Sequence, residues 1–113
     1  CAMQDIQVWD IDDAHGICAV LALEAMGVTP RGSGTTLGST GAIRPDGSVP
    51  LALAGGSKAR GDVVGALGVY QMVELTAQLR GTATTQVPGA TVALAVCMAG
   101  IANTAAAHIL IGA

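Results

Sequence analysis

Charge and aromatic rings are both scarce in this chain. Only 12% of its 113 residues are Asp, Glu, Lys or Arg, 2% are aromatic, and there is no phenylalanine. A nucleic-acid surface needs a basic stripe interleaved with rings for stacking. Five basic against eight acidic residues, a formal charge of -3, exclude that class. The chain opens Cys1-Ala2-Met3-Gln4-Asp5, without the basic start and apolar run of a signal peptide, so a cytoplasmic location and a piece of a longer protein are the expectations. Cys1, Cys18 and Cys97 lie far apart and show neither a disulfide framework nor a zinc-knuckle spacing. His15 and His108 have no partner at metal-ligand spacing and read as surface and core residues respectively, so no metal site is expected.

Apolar types, by contrast, reach 51%. At this length the chain folds as one domain over residues 1–113, and with so few charges it needs a partner or an oligomer to cover apolar surface. From Gly81 to Ala113 there is no Asp, Glu, Lys or Arg, which raises a membrane span. Gly89, Gly100, Asn103 and His108 interrupt the stretch and no cation anchors its end, so two adjacent, fully buried strands explain it better.

The coarse order follows from pattern and punctuation. Ile6 to Ile11 is a strand, and Asp12-Asp13 offers carboxylates to the free amides of a helix running to about Met26 before Gly27 stops it. Ile17, Val20 and Leu21 make the face of that helix, with Cys18 in the core. Arg31 to Pro50 is rich in Gly, Ser, Thr and Pro and forms a surface excursion, with a turn at Arg44-Pro45-Asp46-Gly47. A second helix spans about Val63 to Leu79, with Val64, Leu67, Gly68, Met72, Leu75 and Leu79 along one stripe. Ala90 to Cys97 and Thr104 to Ile111 are strands, and Met98 to Asn103 turns between them. The sum is an α/β layer order, a mixed sheet with helices packed on it.

One stretch carries more than pattern. Gly55-Gly56-Ser57-Lys58-Ala59-Arg60-Gly61 opens into a helix closing at Gln78-Leu79-Arg80-Gly81. It resembles the histidine loop of the thiolase superfamily, Gly-Gly-x-x-x-x-Gly-His-Pro-x-Gly-Ala, and Gly65-Ala66 stands in register with it. Asp62 occupies the histidine's place. Three further segments resemble the C-terminal half of a thiolase of the sterol-carrier or lipid-transfer type. Asp10-Ile11-Asp12-Asp13-Ala14-His15 is similar to Glu-x-His-Asp-Ala-Phe, with Asp12 at the histidine, and Pro50 to Gly56 is similar to Pro-Val-Asn-Pro-Ser-Gly-Gly, with Ala52 at the asparagine. Cys97-Met98-Ala99-Gly100 is similar to the Cys-x-Gly or Asn-x-Gly turn between the last two strands.

The resemblance implies a thiolase-like C-terminal domain working within a larger acyl-CoA acyltransferase assembly of lipid metabolism. Its partner would be an N-terminal thiolase half or a thiolase-like subunit, in a homo- or hetero-oligomer. A coenzyme A thioester would be the substrate, with no covalently bound cofactor. It also implies Cys97, Asp62 and Asp12 at the catalytic positions and Gly55, Gly56, Gly61 and Gly100 as the substrate-binding backbone. The family's nucleophilic cysteine belongs to the other half. Passing a proton from a thiol near 8.5 to a carboxylate near 4 is uphill by about 6 kcal/mol, against about 3 for imidazole, so Asp62 is the worse base. Two roles for Asp62 stay open, a helix N-cap and a carboxylate suited to another reaction such as retro-aldol cleavage of an acyl-CoA. A catalytically silent scaffold or regulatory partner is the alternative for the whole chain. For Cys97 the alternatives are a family-type thiol and a buried inert one. Lys58 and Arg60 are solvated loop charges or contacts for a phosphate or pantetheine end.

The triplet Asp10, Asp12, Asp13 after a strand also resembles the start of magnesium-dependent phosphatases of the haloacid dehalogenase type. The Thr or Val expected after the second aspartate is absent and that fold needs a longer chain, so helix capping is the better account.

Overall fold

In the computed structural model, which describes residues 1–100 and 102–112, the chain places one mixed sheet between two helices. Strand β1 is Val8–Ile11, helix α1 is Gly16–Ala25, and a short helix α2, Thr36–Ser39, lies within the excursion. The glycine-rich segment forms a helical turn, α3, Gly56–Arg60, and a 3-10 turn at Val64–Ala66 leads into α4, Leu67–Leu79. Strands β2, Val92–Ala99, and β3, Thr104–Ile111, complete the sheet. Its order is β1-β2-β3, with β1 parallel to β2 and β3 antiparallel to it. Leu51 adds a single parallel bridge to Trp9 on the free side of β1.

Alternation along β1 assigns the two faces. Trp9 and Ile11 point to α1 and pack with Ala19, Leu23, Leu94 and Val96. Val8 points to α4 and packs with Leu75, Ala93 and Ala95, flanked by Met72, Leu79 and Leu110. Because both faces are covered, all four β1 residues are buried, as are Ala93 to Val96 at the centre of β2. The mixed sheet with packed helices was therefore legible from pattern.

Several finer expectations are corrected. Strand β3 is an exposed edge, not a buried strand: α1 and α4 sit over β1 and β2, leaving Ile109 52% and Ile111 73% exposed and His108 outside the core. The inward face of α1 is Ala19 and Leu23, whereas Ile17 and Leu21 face out and Cys18 is half-buried. That helix is apolar nearly all round, so its sequence carried no direction. Its N-cap is His15, without a side-chain bond, so neither aspartate caps it. Helix α4 begins at Leu67 rather than Val63, because Val64 sits at φ 49 in a tighter turn and is 79% exposed. The turn at Arg44–Gly47 is present, closed by the Gly47 amide donating to the Arg44 carbonyl at 2.9 Å. Among the described residues no helix is long and apolar enough to cross a membrane.

Helix α4 offers a direct check. Leu75, 2% exposed, fills the space against Val8 and Ala93, whereas Val73, 63% exposed, faces away. Leu75→Ala is expected to cost about 3 kcal/mol and Val73→Ala under about 0.5, read from urea midpoints at unchanged slope.

Candidate functional site

Strands β1 and β2 run parallel, so their C-terminal ends lie side by side, the usual place for a site in such sheets. There the Asp12 amide donates to the Val96 carbonyl at 2.9 Å, continuing the ladder past β1. The Asp12 carboxylate accepts from the Ala14 amide at 3.1 Å and from the Met98 amide at 3.4 Å. It thus takes the amide next to Cys97. Gly68, in the first turn of α4, lies over the same spot: a Cβ there would sit 3.9 Å from Cys97 Cβ and Sγ. The structure brings Asp12, Cys97 and the start of α4 together, with Cys97 half-buried.

The glycine loop is fastened to this end of the sheet by Asp13. Its Oδ1 accepts the Ser57 amide at 2.8 Å, so it caps α3, remote in sequence, rather than the adjacent α1. Gly56 has φ 58, and a Cβ on it would overlap the Asp13 carboxylate. Gly55 and Gly61, at φ 98 and 86, begin and end the turn. At Gly55 and Gly56 glycine is required by conformation and by close approach together, and at Gly61 by conformation alone. Gly100, φ 65, turns the chain between β2 and β3, and a Cβ on it would overlap Asn103.

Asp62 is exposed, and its Oδ1 accepts the Val64 amide at 2.9 Å. The carboxylate closes the local turn before α4, so it caps that turn and not α4 itself. The structure draws it into no contact with Cys97 or Asp12. Ala52, at the position of the resembled asparagine, has φ 48. Alanine is strained there, and asparagine tolerates that region better. Lys58 is an exposed loop charge, but Arg60 is not.

Arg60 belongs to a buried network that the sequence reading missed. Its Nη1 donates to Glu74 Oε1 at 2.8 Å, and its guanidinium lies 5.3 Å from the centroid of the Tyr70 ring. Beneath it, the fully buried Gln71 aims Nε2 at three acceptors: the Asp10 carbonyl at 3.3 Å, Asp10 Oδ1 at 3.2 Å and the Val96 carbonyl at 3.0 Å. Asp10 is 2% exposed. Burial and then the neighbouring Glu74 push its carboxyl up to about 7. The only sequence signal was Gln71 and Gln78 on the inward stripe of an otherwise apolar helix face; nothing in spacing linked Arg60 to Glu74. A cavity of about 460 Å³ lies alongside, lined by Val8, Asp10, Leu53, Val73, Glu74 and Gln78 among others, and does not reach Cys97 or Asp12. Among the described residues no cluster of three or more His, Cys, Asp and Glu could hold a metal ion.

The family described as thiolase C-terminal domain-like matches residues 1–112. The chain belongs to that family. Among curated proteins, this thiolase-like domain is 39% identical over 106 residues to an acetyl-CoA acetyltransferase of Methanothermobacter thermautotrophicus, covering 93% of the chain and 28% of that relative. It is 41% identical over 91 residues to human sterol carrier protein 2, covering 80% of the chain and 17% of that relative. The chain therefore spans between about a sixth and little more than a quarter of the curated relatives it matches. Among solved structures, a chain of the Ltp2-ChsH2(DUF35) aldolase superposes with TM-score 0.75 at 22% identity, over 100% of this chain and 28% of that one. At that identity the likeness concerns the fold.

Two substitutions probe these positions. Ala52→Asn is expected to raise stability by about 1 kcal/mol in a thermal melt, by relieving the positive φ. Asp62→Asn keeps the acceptor for the Val64 amide and is expected to cost under about 1 kcal/mol; a larger loss would give the negative charge a role beyond the turn.

Proposed function

We propose that this domain is the C-terminal part of an acyl-CoA acyltransferase-type assembly, in which its histidine-loop position no longer supplies the base. The observation that carries the reading is the placement of Cys97 beside Asp12 at the ends of two parallel strands, under the glycine of α4's first turn. The coenzyme A thioester would approach over α3, whose turn Gly55, Gly56 and Gly61 shape, with Gly100 on the opposite turn. The nucleophile would come from a partner half. Two facts support that partner: the chain spans only 28% and 17% of its relatives, and apolar side chains stand exposed on the outer side of α4 and on β3. Val69, Tyr70 and Val73 on α4 and Ile109 and Ile111 on β3 are the surface such a half, or a second copy, would cover. A cytoplasmic setting suits three free cysteines.

The hydrogen bond at Asp62 favours one second reading, a catalytically silent scaffold that keeps the fold and its contacts. The Asp62 carboxylate is already engaged by the Val64 amide in a local turn, and no hydrogen bond joins it to Cys97. No comparable observation favours retro-aldol cleavage.

Labelling separates the two. In the assembled protein, Cys97 is expected to react with iodoacetamide and to be protected by acetyl-CoA. Labelling without protection would favour the scaffold, and a thiol that reacts only after denaturation would remove Cys97 from the chemistry.

A further inference from the structure

Asp10 and Glu74 line the same cavity, near enough for Glu74 to raise the Asp10 carboxyl, yet two ionised carboxylates offer each other only acceptors. Among the described residues Glu74 Oε2 is buried and accepts no hydrogen bond, while Oε1 is taken by Arg60 Nη1 and the Arg60 Nε and Nη2 find no acceptor. A proton between the carboxyls would satisfy it. Geometry also says which group carries the proton. Glu74, at 22% side-chain exposure, has the guanidinium as counter-charge, whereas Asp10 is 2% exposed and touches a neutral carboxamide. The neutral form therefore costs less at Asp10.

We propose that Asp10 and Glu74 share one proton and, through Arg60, hold the glycine-rich loop against the sheet, acting as positioning residues for the candidate site. This bears on the proposed acyl-thioester site, but its test reads the loop alone and stands or falls separately. Arg60 is the last residue of α3 and lies two residues before Asp62. With the proton in place, one net negative charge faces one guanidinium, and the end of α3 is tied to α4. Without it, two negative charges face that guanidinium inside the fold, and separating them means moving Glu74 and Arg60 toward solvent.

Around Asp10 the Gln71 carboxamide and the Arg60 charge favour the anion, but burial and Glu74 outweigh them. Glu74 comes from α4 and Arg60 from α3; β2 presents Ala95 as register partner; Leu53 and Ala54 line the remaining side without charge. Asp12, further along β1's line, has its carboxylate engaged by the Ala14 and Met98 amides. The sign follows from the raised acidity constant. Folded Asp10 holds its proton up to about 7 and the unfolded group only to 3.8, so the stability it lends is complete below 3.8 and lost as pH rises toward 7. The anchor should loosen in the alkaline direction.

Trypsin reads this directly, because it cleaves after Lys58 and Arg60 in the loop, and cleavage after the exposed Arg31 in the distant excursion provides an internal reference at each pH. Between about pH 6 and pH 8.5 the loop-to-reference ratio is expected to rise at least about threefold in the full chain. Asp10→Asn supplies a permanent donor to Glu74, so its ratio should stay flat at the low-pH level. A flat wild-type ratio, or an equal rise in Asp10→Asn, would overturn the proposal. Should the variant not fold, carboxyl carbon NMR of the wild-type chain decides: one carboxyl titrating near neutrality supports the shared proton, and two titrating as ordinary carboxylates end it.

Discussion

The carboxamide of Gln71 is the point on which three elements of the domain converge. Its nitrogen serves the Asp10 carbonyl, the Asp10 carboxyl and the Val96 carbonyl, so one side chain on α4 joins β1 to β2 just before β1 ends. Fully buried, it has no water to fall back on, and an unsatisfied amide there costs about 1–3 kcal/mol. Apolar packing by Leu75 and Ala93 holds α4 on the sheet without fixing its rotation or slide. The polar contact does fix them, because donors and acceptors must meet at about 3 Å. The position of Gly68 over Cys97, three residues earlier on the same helix, follows from that register.

Sequence reasoning reached the layers and the order of the main elements along the chain because each has a local signature. The run from Val92 to Val96 reads as a buried strand, the Gly55–Gly61 segment reads as a loop opening a helix, and Gly81 marks the end of α4. It misjudged β3, because the run Thr104 to Ile111 is as apolar as β2 and burial depends on what covers a strand. It misjudged α1 because a helix apolar on all sides gives no period to read. The capping pattern misled in a different way. Asp12 and Asp13 stand where caps for α1 belong, yet tertiary contacts send one carboxylate to β2 and the other to α3. Residues far apart in the chain meet there, and local pattern holds no information about such meetings.

That redirection bears on what the site has kept. Asp13, Gly56 and Gly61 preserve the shape of the glycine loop, and Gly68 preserves the approach of α4 to Cys97. These are requirements of backbone geometry, and the strict conformational demand at φ 58 leaves glycine little competition. The polar groups of the resembled loop have not been held in the same way. Ala52 sits at φ 48 without a side chain that suits it, and Asp62 spends its oxygen on Val64. Scaffold and local turn thus rest on different constraints: Gly56 answers to close approach and positive φ, whereas Asp62 makes a single bond to Val64.

Asp62 and Asp10 place the same side chain in opposite surroundings within one small domain. Asp62 is exposed at the mouth of the loop and accepts a backbone amide, so its negative charge is solvated on one side and hydrogen-bonded on the other. Asp10 is enclosed, faces Glu74 and receives only a neutral carboxamide, so water is withdrawn without adequate replacement and the proton stays. If a carboxyl in this domain holds or moves a proton near neutrality, environment selects Asp10, which resemblance to the histidine loop would never single out. The cavity that Asp10 lines does not reach Cys97, which argues against direct chemistry on a thioester. What remains to it is the orientation of the loop, exerted through Glu74 and Arg60.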